Sequence, residues 1–577
     1  MAILLILLTL ITAWLLSNTF SLINNYRLAL ASNLPILIGL GNTDNYLWIV
    51  FSVPLRRTIE KYTSESFYNN YFKATIYGWE FRDKNAVHEN MHEKYGPMFL
   101  LVSAGETELW IADPTAAQSV LMRRKDFMQS KQGIKVMEAL GPNMITLHES
   151  FADTYEQSDG DSWARQRRLI APNLNERISE VVWTESTIQA STMIHHLLSQ
   201  RKGETNTTLE GLRSIALNVL GQAGYGESQE WNAGELVSSE DSSMTFFDAV
   251  SKIIPMVIIA AIFPTWLLRL GLMPKKLRDV GEAVDKYPGH AFALIDKEKN
   301  LAIESGEERN NFITMMARLS DGDEKIDAKS GLTPGEIQGN LFIFTVAGFD
   351  TTANTLAYAV TTLATRPDLQ NWLFEELDHV LPSDSAAEID YKASFPKLIR
   401  CLAFMYETLR VYPAVIHIAR SIHTDQSIET RKGSHLIKGP AKVYVNAVAL
   451  HSDTATWGAD ALAFKPERWF VNTNTPPPPY TSSPTAEVPE FITPPKGTYI
   501  PWSGGPRVCP GMKMAQVEFV AVIATLFKSC RVEVVLREGE SELNARERLV
   551  KTMQESQPLL TLQIEKPEDI VLRWVKR

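Results

Sequence analysis

Cysteine is scarce in this 577-residue chain: Cys401, Cys509 and Cys530 are the only three, and no two are spaced as Cys-x-x-Cys. That excludes a disulfide framework and a cysteine-rich zinc site, and it fits a reducing compartment. Positive charge is not in excess either. With 57 Lys and Arg against 67 Asp and Glu, the net charge is −10, which argues against nucleic acid as a partner. Internal repeats are lacking, as is an unbroken apolar run of spanning length beyond the N-terminus. The second apolar stretch, Ile253 to Leu268, is interrupted by Pro255 and Pro264, too short and too broken to cross a membrane. Low complexity is confined to Asn472 to Lys496, around Pro476 to Pro479, and reads as an extended surface loop. The remainder is 45% hydrophobic and 21% charged, an ordinary globular balance with ample core.

The N-terminus stands apart. Ala2 to Leu16 is apolar except for two threonines, and the run continues with mixed polarity to Ile23, before Arg27. About twenty such residues span a bilayer. No basic segment precedes them and no small-residue cleavage site follows, so an uncleaved anchor is favoured over a cleaved signal peptide. Arg27, Arg56 and Arg57 come after the run and place the body of the protein on the cytosolic side, where the sequon Asn206-Thr207-Thr208 stays unmodified. The expected division is an anchor at 1–23, a linker and membrane-proximal segment at 24–60, and one large domain at 61–577. The linker texture is clearest from Asn33 to Tyr46. Within the domain, Met98 to Asp113 reads as a β-hairpin around Gly105. The pattern is mostly helical from Trp163 to about Arg420, and strands return at Arg531 to Leu536 and Leu559 to Ile564. The fold class is therefore mainly α with a smaller β region.

Chemistry concentrates in four places. Cys509 lies in Pro501-Trp502-Ser503-Gly504-Gly505-Pro506-Arg507-Val508-Cys509-Pro510-Gly511, just before an amphipathic helix. Glycines allow close backbone approach, while Arg507 and the helix N-terminus both favour an anionic sulfur. Thr333-Pro334 with Glu336 forms a capping-box signature that opens a helix of about thirty residues, stopped before Pro367. In its middle sits Ala347-Gly348-Phe349-Asp350-Thr351-Thr352, an acid beside two threonines in apolar surroundings. Asp350 could face solvent and the threonines could back-bond to the preceding turn. Glu407 and Arg410 are three apart on one helix face with apolar flanks, which points to a buried pair that needs further partners. Trp163-Ala164-Arg165-Gln166-Arg167-Arg168 presents cations that could be a solvated face or a docking patch for an acidic redox partner.

Taken in order, these segments resemble the cytochrome P450 family, a likeness running over nearly the whole chain. The aromatic-x-x-Gly-x-Arg-x-Cys-x-Gly loop is matched by Trp502, Gly505, Arg507, Cys509 and Gly511, with tryptophan in place of the usual phenylalanine. The resemblance implies the cytochrome P450 fold behind a transmembrane anchor, with haem b ligated through iron by Cys509. It implies that Asp350 and Thr351 manage proton delivery, with Thr352 supporting. Glu407, Arg410 and the Arg468 of Pro466-Glu467-Arg468-Trp469 become an architectural trio that holds the thiolate loop. Trp163, Arg167 and Arg420 become partners of the haem propionates. A pocket lined by Phe344, Ala347, Val415 and Ile416, with a contribution from the segment between Gly141 and Trp163, suits a lipophilic small molecule. Ile253 to Leu268 would form a lid over the substrate channel, or plain core. The expected activity is monooxygenation with O2 and electrons from an NADPH-dependent reductase, at the endoplasmic reticulum membrane, as in fungal secondary metabolism. The alternatives are a non-oxygenating rearrangement or dehydration at the same haem, or a haem-binding sensor.

Overall fold

Pro334–Thr365 forms a single 32-residue helix in the computed structural model, opened by the capping box in which Thr333 accepts from the Glu336 amide and Glu336 from the Thr333 amide. The structure describes residues 2–41, 45–86, 90–145, 160–200, 203–231, 244–305, 311–320, 331–382, 389–471 and 490–577. The chain divides into two units, one of residues 1–133, 415–463 and 494–509, the other of 134–414, 464–493 and 510–577.

The first unit is built on a five-stranded mixed sheet, ordered Ile36–Ile38, Met98–Val102, Thr107–Ile111, Ala441–Asn446, His417–Ile422. The expected hairpin is its middle, with Met98 opposite Ile111 and Val102 opposite Thr107. Period-2 alternation divides the side chains between two faces. Leu100, Val102, Leu109, Ile111, Val443 and Val445 pack with helix Pro114–Met122 on one face. Phe99, Leu101, Trp110 and Tyr444 meet Trp79 and Met91 on the other. Because both faces are covered, Met98–Val102 is apolar throughout, and Thr107–Ile111 is buried along its whole length even at Thr107 and Glu108.

The N-terminal helix runs from Ala2 to Ala29, beyond the expected residue 23. Among the described residues it alone is long and apolar enough to cross a membrane, with a mean hydropathy of 1.8 and its spanning stretch unburied. Its C-terminal end is tied to the sheet: Leu22 packs on the apolar face and Asn25 donates to the Ser103 carbonyl at 3.0 Å. Expected as linker, the stretch after Asn33 instead supplies the edge strand Ile36–Ile38, parallel to Leu100–Val102. Residues 46–62 of the same segment are helical. Three residues between proline and glycine are too few to show a strand period, so only the tertiary pairing defines them.

The second unit is helical, with Glu176–Ser199, Thr208–Tyr225, Lys275–Ser305, Ile399–Val411 and Met512–Lys528 among the elements around the long helix. A three-stranded antiparallel sheet (Glu204–Thr205, Leu572–Lys576, Cys530–Val534) and the hairpin Ser556–Pro558/Leu562–Ile564 complete it. The Ile253 to Leu268 stretch is broken at its prolines into short helical pieces. Its Ile253, Ile254, Val257 and Leu268 are buried, whereas Trp266 is 66% exposed. Core burial therefore accounts for one side of it and not for the other.

Candidate active site

In the first unit the Cys509 loop is a series of tight turns. The Cys509 amide donates to the Trp502 carbonyl at 2.9 Å and the Val508 amide to Gly505 at 3.2 Å. Ser503 and Gly505 adopt left-handed φ values of 63° and 64°. A Cβ on Gly505 would lie 2.4 Å from the Leu121 carbonyl oxygen, so only glycine lets this loop seat on the end of helix Pro114–Met122. The stem is fixed by the Ile500 amide, which donates to His451 Nε2 at 2.9 Å. Every residue from Pro501 to Cys509 is half-buried. Cys509 is a free thiol, as are the fully buried Cys401 and Cys530, whose thiols burial pushes up in pKa.

Arg420 comes from strand His417–Ile422 of the same unit and is 5% exposed. Its Nη1 donates to Gln129 at 3.1 Å and to the Ala419 carbonyl at 2.9 Å. Burial, then the neighbouring Arg507 guanidinium, lowers its pKa to about 9, and no carboxylate among the described residues offsets them. A buried guanidinium bonded to neutral oxygens is costly unless an anion joins it. Val415 and Ile416 precede this strand. Val415 is 42% exposed and Ile416 is buried, its carbonyl accepting from the Ala447 amide.

In the second unit the long helix is buried from Gly339 onward except along one stripe. Phe344, Ala347, Gly348 and Thr351 are half-buried at spacings i, i+3, i+4 and i+7, while every residue from Thr352 to Thr365 is buried. Gly348 is small because Leu220 lies there, its Cδ1 3.0 Å from where a Cβ would be. Thr351 Oγ1 donates to the Ala347 carbonyl at 2.8 Å. Phe344, expected in a pocket wall, is stacked on Phe312 at 4.1 Å and closes over Gly224. Its ring is thus held by helix packing. Asp350 does not face solvent. It is 2% exposed, Oδ1 takes Arg213 Nη2 at 3.3 Å and Oδ2 takes Thr561 Oγ1 at 2.5 Å. Neither Arg213 nor Thr561 carries a sequence signal that links it to Asp350.

The expected trio is assembled. Glu407, fully buried, accepts from Arg410 Nε and Nη2 at 2.8 and 2.7 Å and from Arg468 Nε at 3.1 Å. The Lys465 amide at 2.7 Å and Trp469 Nε1 at 3.1 Å add two donors that sequence reasoning missed. Five donors on one carboxylate fasten segment 465–469 to helix Ile399–Val411, which is how a buried ionic group is made tolerable.

Trp163 and Arg167 lie on helix Gly160–Ile170, Trp163 buried and Arg167 half-buried. Arg165, read as solvent-facing, is instead ion-paired with Glu336 and donates to the Gly331 carbonyl; Gln166 also donates to Glu336, at 2.7 Å. Burial opposes ionisation of Glu336, yet the Thr333 amide, Gln166 and Arg165 together hold its pKa below the ordinary value. Arg168 is exposed. Of the segment between Gly141 and Trp163, residues 146–159 lie outside the described residues.

A thiol-bearing glycine loop, a buried arginine bonded to neutral oxygens, and a long helix with an acid–threonine step point to the class of haem-thiolate oxidoreductases. The cytochrome P450 family model matches residues 74–560, and the chain belongs to that family. It is similar to the phomenoic acid biosynthesis cluster cytochrome P450 monooxygenase of Leptosphaeria maculans, 30% identical over 99% of both chains. It is also similar to cytochrome P450 monooxygenases of Arthrobotrys oligospora (28% identical, 84% of both chains) and Penicillium roqueforti (28%, 81% of this chain and 80% of the relative). The family implies haem with a cysteine thiolate on the iron, and O2 as co-substrate.

Proposed function

We propose that this monooxygenase inserts one oxygen atom of O2 into a lipophilic small molecule as a step in fungal secondary-metabolite biosynthesis. Electrons come from an NADPH–cytochrome P450 reductase. The N-terminal helix anchors it to the endoplasmic reticulum, with the domain on the cytosolic face. The relative from a phomenoic acid cluster supports the metabolic setting, and the apolar residues named for the pocket support the substrate class. The observation that carries the haem reading is the tightly turned Cys509 loop, on the unit that also bears the buried Arg420.

Haem supplies the oxygen-activating chemistry when bound, its reactivity tuned by thiolate donation. The roles of the chain follow from its groups. Cys509 gives the sulfur ligand, held by the turn geometry of its loop. Arg420, Arg507 and Arg167 would supply positive charge to the haem propionates and Trp163 an indole N–H donor, while Trp502 and Gly511 belong to the segment that would receive the macrocycle. Thr351 and Asp350 hold and pass protons. Ala347 on the helical unit, and Val415 and Ile416 on the sheet unit, supply apolar surface of the kind that excludes water.

The deciding test is the absorption spectrum of the reduced, carbon-monoxide-bound protein. A Soret band far to the red in wild type, lost in Cys509→Ala, is expected. An imidazole-like band, or no haem, overturns the reading. Substrate-dependent NADPH consumption with reductase then separates oxygenation from a non-oxygenating rearrangement or a sensor.

A further inference from the structure

Asp350 is held by residues outside the acid–threonine motif, all within the helical unit. Thr561 donates to Asp350 Oδ2 at 2.5 Å and accepts from Asn354 Nδ2 at 2.9 Å; Asn354 also donates to the Asp350 carbonyl at 3.0 Å. Thr561 and Asn354 are 4% and 7% exposed. The remaining carboxylate oxygen faces Arg213, whose side chain is 24% exposed. Thr561 lies in the turn between Ser556–Pro558 and Leu562–Ile564, a hairpin whose Leu562 amide donates to the Ala414 carbonyl and whose Leu560 packs on the core around the long helix. A short hydrogen bond to a buried carboxyl oxygen is a strong constraint on its direction.

We infer that Thr561 is a positioning residue for proton delivery, fixing the direction of the Asp350 carboxylate from the tip of the C-terminal hairpin. The inference rests on the monooxygenase reading. Thr561 does no chemistry itself. Its hydroxyl proton stays in the hydrogen bond, and Asn354 orients the hydroxyl by donating to its oxygen. With one oxygen on Thr561 and the other toward the partly exposed Arg213, Asp350 is tethered at two points 348 residues apart in sequence (Arg213 to Thr561). Loss of the tether frees the carboxylate to turn and misdirects its proton, so more O2 leaves as H2O2, having taken two electrons from NADPH and two protons, with its O–O bond intact.

Two measurements test this. In purified protein, thermal unfolding of Thr561→Val, Asp350→Ala and the double variant is compared. The double variant is expected to melt no lower than the worse single one; additive losses overturn the tether. With reductase and NADPH and no added substrate, hydrogen peroxide formed per NADPH oxidised is expected to at least double in Thr561→Val. It should return to the wild-type value in Thr561→Ser, with haem content and the carbon monoxide band unchanged in both. An unchanged peroxide share in Thr561→Val, or an equal rise in Thr561→Ser, overturns the positioning role. A wild-type protein that fails the carbon monoxide test refutes the monooxygenase reading by itself, and the unfolding cycle still decides the tether.

Discussion

Glu407→Ala removes the acceptor shared by five donors, and its cost can be worked from the contacts. Glu407 is fully buried and each oxygen takes one nitrogen of Arg410, a bidentate pair at 2.8 and 2.7 Å. Removing one member of a buried ion pair costs about 3–5 kcal/mol, because the remaining charge keeps its desolvation penalty. Losing the acceptor of the Lys465 amide and Trp469 Nε1 adds about 1 kcal/mol each. The expected loss is therefore roughly 5–7 kcal/mol, which at about 2 cal/mol/K per residue lowers the melting temperature of a cooperative unit of several hundred residues by about 5–10 °C. Arg468→Ala should cost less, about 2 kcal/mol, since Arg410 still engages both oxygens and the Arg468 side chain is 12% exposed. Trp469→Phe gives up a single 3.1 Å bond, about 1 kcal/mol. Differential scanning calorimetry of the three variants, with haem retention followed at the Soret band, gives the order Glu407→Ala, Arg468→Ala, Trp469→Phe. Added salt should leave the order unchanged, because a buried network is little screened. A Glu407→Ala protein melting within a degree of wild type, or an Arg468→Ala protein melting lower than it, would refute the reasoning.

Two further outcomes follow from buried ionisable groups. Glu108 is 2% exposed and accepts from Trp110 Nε1 at 3.2 Å; burial foremost, with repulsion from Glu80, raises its pKa from 4.5 to about 8 despite that bond. The folded state binds this proton more tightly, so its contribution is full below about pH 4.5 and is lost as pH rises through about 8. Glu108→Gln, neutral and of the same shape, should flatten the stability profile across that window, as read from melting temperatures in a pH series; an unchanged slope contradicts the assignment. Arg420 is the opposite case, a base whose pKa is lowered to about 9, first by burial, so its charge opposes folding at neutral pH and the penalty lifts only as pH rises above about 9. Arg420→Met should raise the melting temperature of haem-free protein at neutral pH while weakening haem retention; a lower melt with haem equally well retained would exclude the propionate role.

What the sequence made legible was local. The capping box Thr333/Glu336 and the stop before Pro367 delimit the long helix because those signals lie within one turn of its ends. Glu407 and Arg410 share a helix face, so their pairing follows from spacing alone. The strand Ile36–Ile38 was hidden because three residues beside Pro35 and Gly39 look like loop until Leu100–Val102 is placed next to them. Arg165 looked solvated because its acid, Glu336, is 171 residues away, and Thr561 carries no local mark of its bond to Asp350 across 211. Long-range partners of polar side chains are tertiary facts, and one sequence does not encode them at any fixed spacing.

The arginines of this chain show how architecture and ligand binding can be told apart by charge alone. Arg410 is buried and Arg468 half-buried, but the protein supplies their anion itself, and Glu407 accepts from both. Such a group needs nothing from outside, and its loss should be felt first in stability. Arg420 is buried like Arg410, yet the charge that acts on it is the like charge of Arg507, and its bonds go to the neutral oxygens of Gln129 and Ala419. A buried guanidinium whose bonds go to neutral oxygens lowers the stability of the protein alone, and Arg420 carries that cost on the unit that holds Cys509. Sequence motifs present both sets as arginines at family positions. The presence or absence of an internal carboxylate distinguishes them, and it predicts that Arg468 variants should lose melting temperature before haem, and Arg420 variants haem before melting temperature.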